Sequence, residues 1–91
     1  MGIENTDTKQ DKKPFRISDI YTAAYLVLSN LSYTLEKQNG KILFCFMPSP
    51  DLYRLLQDFN EGIKVDVAEF AREVKRLRAI MLEAKGKWVR E

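Results

Sequence analysis

Residues that could carry out catalysis are few and scattered in this 91-residue chain. It contains no histidine, which removes the commonest general base and the commonest metal ligand. The single cysteine, Cys45, lies within an apolar run, whereas a nucleophilic thiolate needs a nearby cation or helix N-terminus to lower its pKa. We therefore interpret Cys45 as a small buried hydrophobic residue.

The acidic residues and the glycines also lack the spacing of a catalytic or cofactor site. Asp51 and Asp66 stand where helices should begin, and no two carboxylates are evidently paired for acid-base work. Gly40 and Gly62 are explained by a turn and a helix end, and there is no glycine-rich phosphate-binding loop. The pattern predicts a protein that is not an enzyme and uses neither a metal nor another cofactor.

Basic residues are concentrated near the C-terminus, although the whole chain carries a net charge of only +2. Such a local excess could neutralise nucleic-acid phosphates, with an affinity that falls as salt rises. Acidic residues are interleaved three and four positions away, however, which is typical of a solvated helix face. Weak nucleic-acid binding is therefore the alternative hypothesis. It would use Arg72, Lys75, Arg76, Lys85 and Lys87.

Two β-prone runs joined by Asn39-Gly40 predict a hairpin, because both central residues of a type I′ turn need a positive φ. That turn sets Gln38 opposite Lys41 and continues pair by pair to Ser32 opposite Met47. Alternate pairs face opposite sides of the sheet. The predicted core face holds Tyr33, Leu35, Phe44 and Phe46, and the opposite, outer face holds Ser32, Thr34, Glu36, Leu43, Cys45 and Met47.

Three helices are predicted around this hairpin. The first has Ser18 as its N-cap and ends near Asn30, and the second runs from Pro50 to Asn60. The third and longest begins at Asp66 and carries an apolar seam in steps of three and four residues. The seam is Val67, Phe70, Val74, Leu77, Met81, Ala84 and Trp88, widened on one side by Ala71 and Ile80.

With a short strand at Phe15 to Ile17, these elements predict the order β-α-β-β-α-α in a single α+β domain, residues 14–91. A right-handed crossover puts the first strand beside the return strand, giving a three-stranded antiparallel sheet of order 1-3-2 packed with helices. Ile42 to Met47 is apolar throughout, as a central strand should be. Residues 1–13 have almost no bulky apolar side chain and are expected to form a disordered tail.

The quoted elements also resemble a known family. The resemblance is carried by Phe15-x-Ile-Ser-Asp19, Ala23-Ala-Tyr-Leu26, Asn39-Gly-Lys-Ile-Leu-Phe-x-Phe46, Phe59-Asn-Glu-Gly62 and Val65-Asp66. These segments are similar to those of a group of short bacterial and phage-associated proteins classed as a domain of unknown function. The similarity covers Phe15 to Leu82 and implies a single small α+β domain. It supplies no catalytic residue.

The leading functional hypothesis is a module that acts by contact with another protein, most simply as a homodimer. If two helices cover the core face, then the third helix or a partner must cover the apolar line on the outer face. The N-terminal half of the seam should be intramolecular core, while core and partner contact both stay open for Met81 to Trp88. The lone Trp88 would suit an interface anchor. The predicted interface is Leu43, Cys45, Met47, Met81 and Trp88.

Composition limits where such a module works. The longest apolar run, Ile42 to Met47, is far shorter than the ~20 residues that cross a bilayer, and the N-terminus does not resemble a signal peptide. One cysteine cannot form an internal disulfide, which suits a reducing compartment. We therefore expect a cytoplasmic protein with no membrane contact.

Overall fold

The computed structural model describes the backbone of residues 13–89 and the side chains of residues 13–86. Of the predicted disordered tail, only Lys13 is among the described residues. The side chains of Lys87 and Trp88 also lie outside the described part. The elements are β1 (Phe15–Ile17), α1 (Ile20–Leu28), β2 (Thr34–Gln38), β3 (Lys41–Phe46), α2 (Pro50–Glu61) and α3 (Val67–Val89).

The three strands form the predicted antiparallel sheet, in the order β1-β3-β2. Asn39 and Gly40 have φ angles of 52° and 81°, as a type I′ turn requires. Gln38 is opposite Lys41, and the ladder runs without a slip to Thr34 opposite Cys45. The α+β fold class, the strand order and the hairpin register are confirmed.

The ladder is shorter than predicted. The residues that follow α1 hydrogen-bond back to that helix. Asn30 adopts a left-handed conformation with φ 72°, and its amide donates to the Val27 carbonyl. The Leu31 amide donates to the carbonyl of Leu26 at 3.1 Å, which completes a Schellman motif. The expected pairs of Tyr33 with Phe46 and of Ser32 with Met47 therefore lie outside the ladder. The Tyr33 ring still packs on Phe44, with ring centroids 5.6 Å apart.

Helix starts follow local side-chain chemistry, with one correction. Ser49 caps α2 by accepting the Leu52 amide at 3.0 Å, and Asp66 accepts the Glu69 amide at 2.9 Å, as predicted. The prediction that Ser18 caps α1 is wrong, because Asp19 occupies the cap position. Its carboxylate accepts both the backbone amide of Tyr21 and the hydroxyl of Thr22, so the helix begins one residue later.

All three helices contribute to one hydrophobic core on the same side of the sheet. Ala23 and Ala24 of α1 are fully buried, and their small side chains let the backbone of α1 approach the elements packed against it. The core cluster joins strand residues Ile17, Phe44 and Phe46 to helix residues Ala23, Ala24, Leu26, Leu52, Leu55, Val74 and Leu77. The core face predicted from the register is therefore confirmed.

The seam of α3 enters this core only in part. Val74 and Leu77 are buried, so the middle of the helix packs within its own domain. Val67 is 80% exposed and Ala71 is also exposed, which corrects their assignment to the seam. In the first turn of α3, Phe70 is partly buried against the core cluster and stacks on Tyr21 of α1, with ring centroids 6.3 Å apart.

Candidate functional site

The outer face of the sheet carries three of the five predicted interface residues. Of the eight buried helix residues in the described part of the chain, seven belong to the core cluster on the other side, and the eighth is Ala84 of α3. Within the part of the chain that the structure describes, this leaves the outer face without a helix. Of the two covers expected for this face, a third helix or a partner, the third helix is therefore not observed among the described residues.

An ion pair lies across the central strand on this face instead. Arg16 on β1 is opposite Cys45 of β3, and Glu36 on β2 is opposite Leu43 of β3. The Arg16 Nε donates to Glu36 Oε1 at 2.7 Å, and Nη2 donates to Oε2 at 3.4 Å. The pair thus joins the two edge strands diagonally over β3. Its two side chains remain 38% and 36% exposed, so solvent reaches the outer side of the pair.

Each charge stabilises the other. The hydrogen bond from Arg16 lowers the pKa of the Glu36 carboxyl, and the bond to Glu36 raises the pKa of Arg16. Both groups therefore stay charged over the physiological range. The pair was not recognised from the sequence, although the predicted register puts Glu36 and Cys45 on the outer face and the pairing of β1 with β3 puts Arg16 opposite Cys45.

Cys45 lies beneath this ion pair and is only 4% exposed. Its thiol Sγ donates to Glu36 Oε1 at 3.4 Å. Burial raises the pKa of the thiol, and the hydrogen bond to Glu36 and the charge of its carboxylate raise it further. The arrangement holds the sulfur as a neutral thiol, which is the opposite of what a nucleophile needs.

The predicted apolar line on the outer face divides into a closed part and an open part. Leu43 is 8% exposed and Cys45 is 4% exposed, although neither belongs to the core cluster. Met47, beyond the end of β3, is 60% exposed. The accessible apolar surface of this face is therefore at its Met47 end.

A small hollow adjoins Met47, with a volume of about 130 Å³. We call it the outer-face hollow. Its wall is mainly apolar, and three of the lining residues, those before and at the start of β2, carry hydroxyl groups. It is lined by Pro14, Ser32, Tyr33, Thr34, Cys45 and Met47. Its size is close to that of a cavity that accepts a benzene ring, ~150 Å³.

The remaining predicted interface residues do not join this surface. Met81 packs against the core cluster and borders a different hollow together with Ile42, so it lies on the core side of the sheet. The side chain of Trp88 is outside the described residues. The five predicted interface positions therefore do not form one contiguous patch among the residues whose side chains are described.

The predicted basic residues of α3 are exposed but differ in their surroundings. Arg72 and Lys75 are open to solvent, whereas Arg76 forms an ion pair with Glu73 one turn away. Lys85 borders the hollow that contains Met81. The side chain of Lys87 is outside the described residues. The accessible basic surface on one side of the helix is thus smaller than the sequence suggested.

Neither a metal site nor a membrane-crossing element is found in the described part of the chain. Among residues 13–86, no three histidine, cysteine or acidic side chains converge in a way that could hold an ion. None of the helices described here has the length and apolar character needed to cross a bilayer.

Together, these features define a small α+β domain with three helices on one side of a 1-3-2 antiparallel sheet and an ion-paired surface on the other. The chain belongs to the family described as Domain of unknown function (DUF5659), whose profile matches residues 12–83. The resemblance to a family classed as a domain of unknown function is therefore confirmed. No curated protein and no solved structure matches the chain.

Proposed function

We propose that this protein is a non-enzymatic module of a bacterial or phage system that acts by protein contact, as a homodimer formed through the Met47 end of the outer face. The observation that carries the proposal is the pairing of a projecting apolar side chain with an adjacent apolar hollow. Met47 is 60% exposed, and it borders the outer-face hollow together with Pro14 and Tyr33.

A projection and a hollow on one patch suit a second copy of the same chain. A twofold interface is self-complementary, so each subunit must offer both the group that inserts and the site that receives it. The hollow has a volume of about 130 Å³, which is the scale of a single apolar side chain. In the proposed dimer, each Met47 occupies the hollow of the partner.

The charges beside this patch favour association over catalysis. Arg16 and Glu36 neutralise each other, so the adjoining surface carries little net charge that would repel a second copy. The raised pKa of Cys45 disfavours a thiolate role. A cytoplasmic location fits a module with a free thiol and belongs to the same proposal.

Met47→Glu tests the dimer, because the substitution places a carboxylate where an apolar contact is proposed. Burial of one methionine side chain is worth about 1.5–3 kcal/mol. A twofold interface loses this burial in both subunits. The substitution should therefore raise the dimer dissociation constant by roughly 10²- to 10⁴-fold. Sedimentation equilibrium should show a dimer for the natural chain and a monomer for the variant.

Val67→Glu is the matched control, because it introduces the same charge at an apolar residue that is 80% exposed on a different surface. This variant should remain dimeric. A natural chain that is monomeric at about millimolar concentration, or a Met47→Glu variant as dimeric as the control, would overturn the proposal.

The alternative function is weak nucleic-acid binding by the exposed face of α3. It is supported by Arg72 and Lys75, which are exposed and lie three residues apart on the helix. It is weakened by the engagement of Arg76 with Glu73. The alternative predicts binding that falls steeply with salt and is lost in Arg72→Glu. Absence of a DNA or RNA mobility shift at low salt would exclude it.

A further inference from the structure

A second hollow lies where the start of β3 meets the C-terminal half of α3. Its volume is about 240 Å³. We call it the lysine-rimmed hollow. It is lined by Ser18, Lys41, Ile42, Met81, Leu82 and Lys85. Neither the outer-face contact proposed above nor the basic face of the alternative function accounts for this combination of side chains.

Three of the lining residues provide an apolar wall. Ile42 is 4% exposed and faces the core side of the sheet, while Met81 packs against the core cluster. Leu82 is 58% exposed, although it lies on a helix whose other exposed positions are mostly polar. An exposed leucine beside a hollow leaves apolar surface that a ligand could remove from water.

The other three lining residues are hydrogen-bond donors, and two of them are cations. Lys41 comes from the sheet and Lys85 from the helix, so two distant parts of the chain bring positive charge to the same opening. Among residues 13–86, whose side chains are described, no acidic residue lines the hollow. The ion pairs between described residues use Arg16, Arg54 and Arg76, and neither lysine.

We propose that the lysine-rimmed hollow binds a small anionic amphiphile, a carboxylate with a short alkyl chain. The carboxylate would lie between Lys41 and Lys85, with the Ser18 hydroxyl as a further donor, because two cations that line one hollow, with no carboxylate among its described lining residues, attract an anion. The alkyl chain would cover Ile42 and Leu82.

The volume favours a short chain. About 240 Å³ exceeds the ~150 Å³ that accepts benzene but is below the ~300 Å³ where pockets for drug-sized ligands begin. Octanoate is therefore a suitable probe. Octanol and octyltrimethylammonium keep the alkyl chain and replace the negative charge with no charge and a positive charge.

The experiment is a titration of the full chain, labelled with nitrogen-15, followed by amide chemical shifts. Octanoate below its micelle concentration should give saturable shifts centred on Ser18, Ile42 and Leu82. Octanol should bind more weakly, and octyltrimethylammonium should give no saturable shifts there. Shifts that spread evenly over the chain, or equal binding of the three probes, would overturn the proposal.

Variants test the role of the lysines. Lys41→Ala and Lys85→Ala should each weaken octanoate binding by about two- to fivefold, the strength of an exposed ion pair. Lys75→Ala makes the same charge change on α3 at an exposed residue outside the hollow, and it should bind like the natural chain. Equal weakening in all three variants would mean that only the net charge matters and would refute the site.

A membrane surface could present similar chemistry. The proposed ligand is a molecule free in solution and not part of a bilayer. Phosphatidylglycerol vesicles should therefore not compete with octanoate for the hollow. Vesicles that broaden the same amide signals and displace octanoate would replace the free amphiphile with a lipid surface and overturn the proposal as stated.

Discussion

Replacing Leu43 with glutamate should destabilise the folded monomer rather than merely change its association. Leu43 lies on the outer face, but it is only 8% exposed within a single chain. Loss of its burial costs about 2–3 kcal/mol. The new carboxylate would also be partly desolvated and would stand directly opposite Glu36, whose charge Arg16 already neutralises. We expect a total loss of about 3–5 kcal/mol.

That loss is large compared with the ~5–15 kcal/mol that stabilises a typical domain. The measurement is urea unfolding followed by circular dichroism, in the Met47→Glu background so that dimer formation does not contribute. Leu43→Met in the same background is the control, because a swap that conserves volume should cost less than about 1.5 kcal/mol.

The result that would refute this reasoning is a Leu43→Glu variant within about 1 kcal/mol of its background, less than the loss expected from burial alone. Leu43 would then be accessible in the monomer, and the Arg16–Glu36 ion pair would not close this part of the face. Met47 is the better position for testing association, since a substitution at an exposed residue usually changes stability by no more than about 0.5 kcal/mol.

Two further predictions concern the ion pair and the hairpin turn. Because the hydrogen bond from Arg16 lowers the pKa of Glu36 below its ordinary value of 4.5, the stability that the carboxylate contributes should be present above that pH and lost as the pH falls through the native pKa. Unfolding free energies of the natural chain and Glu36→Gln should therefore converge in acid, whereas a difference independent of pH would contradict the pairing. Gly40→Ala should cost about 1–2 kcal/mol of unfolding free energy, because the φ angle of Gly40 is 81°. No atom would obstruct the new methyl group, so the cost is conformational. Gly86→Ala in α3 should instead stabilise the fold by up to ~1 kcal/mol, because alanine favours the helix more than glycine does. Urea midpoints that move in the same direction for the two glycine variants would refute the conformational explanation.

Much of the fold could be predicted because its signals are local. Ser49 with Pro50 marks the start of α2, and Asp66 marks the start of α3, through hydrogen bonds that span three residues. The error at Ser18 is of the same local kind, since two adjacent residues can both cap a helix and the carboxylate of Asp19 accepts more bonds. Boundaries therefore shift by a residue while the elements persist.

The candidate site was harder to predict because burial is not local. The predicted register assigned Leu43 and Met47 to one face, and Leu43 does pair with Glu36 there while Met47 borders the outer-face hollow, yet their exposures are 8% and 60%. Helical periodicity assigned Val67 and Leu77 to one seam, yet one is exposed and the other is fully buried. Periodicity reports which residues share a face, whereas burial depends on what lies opposite each of them.

The amino-acid sequence by itself determined the pairing of the hairpin, because Asn39 and Gly40 accept positive φ and the two-residue period then assigns every later side chain to a face. Only the tertiary structure decided how the outer face is closed. Arg16 and Glu36 are twenty residues apart and meet because β1 docks on β3. That contact lies over Cys45, which is 4% exposed, whereas Met47, beyond the end of β3, is 60% exposed.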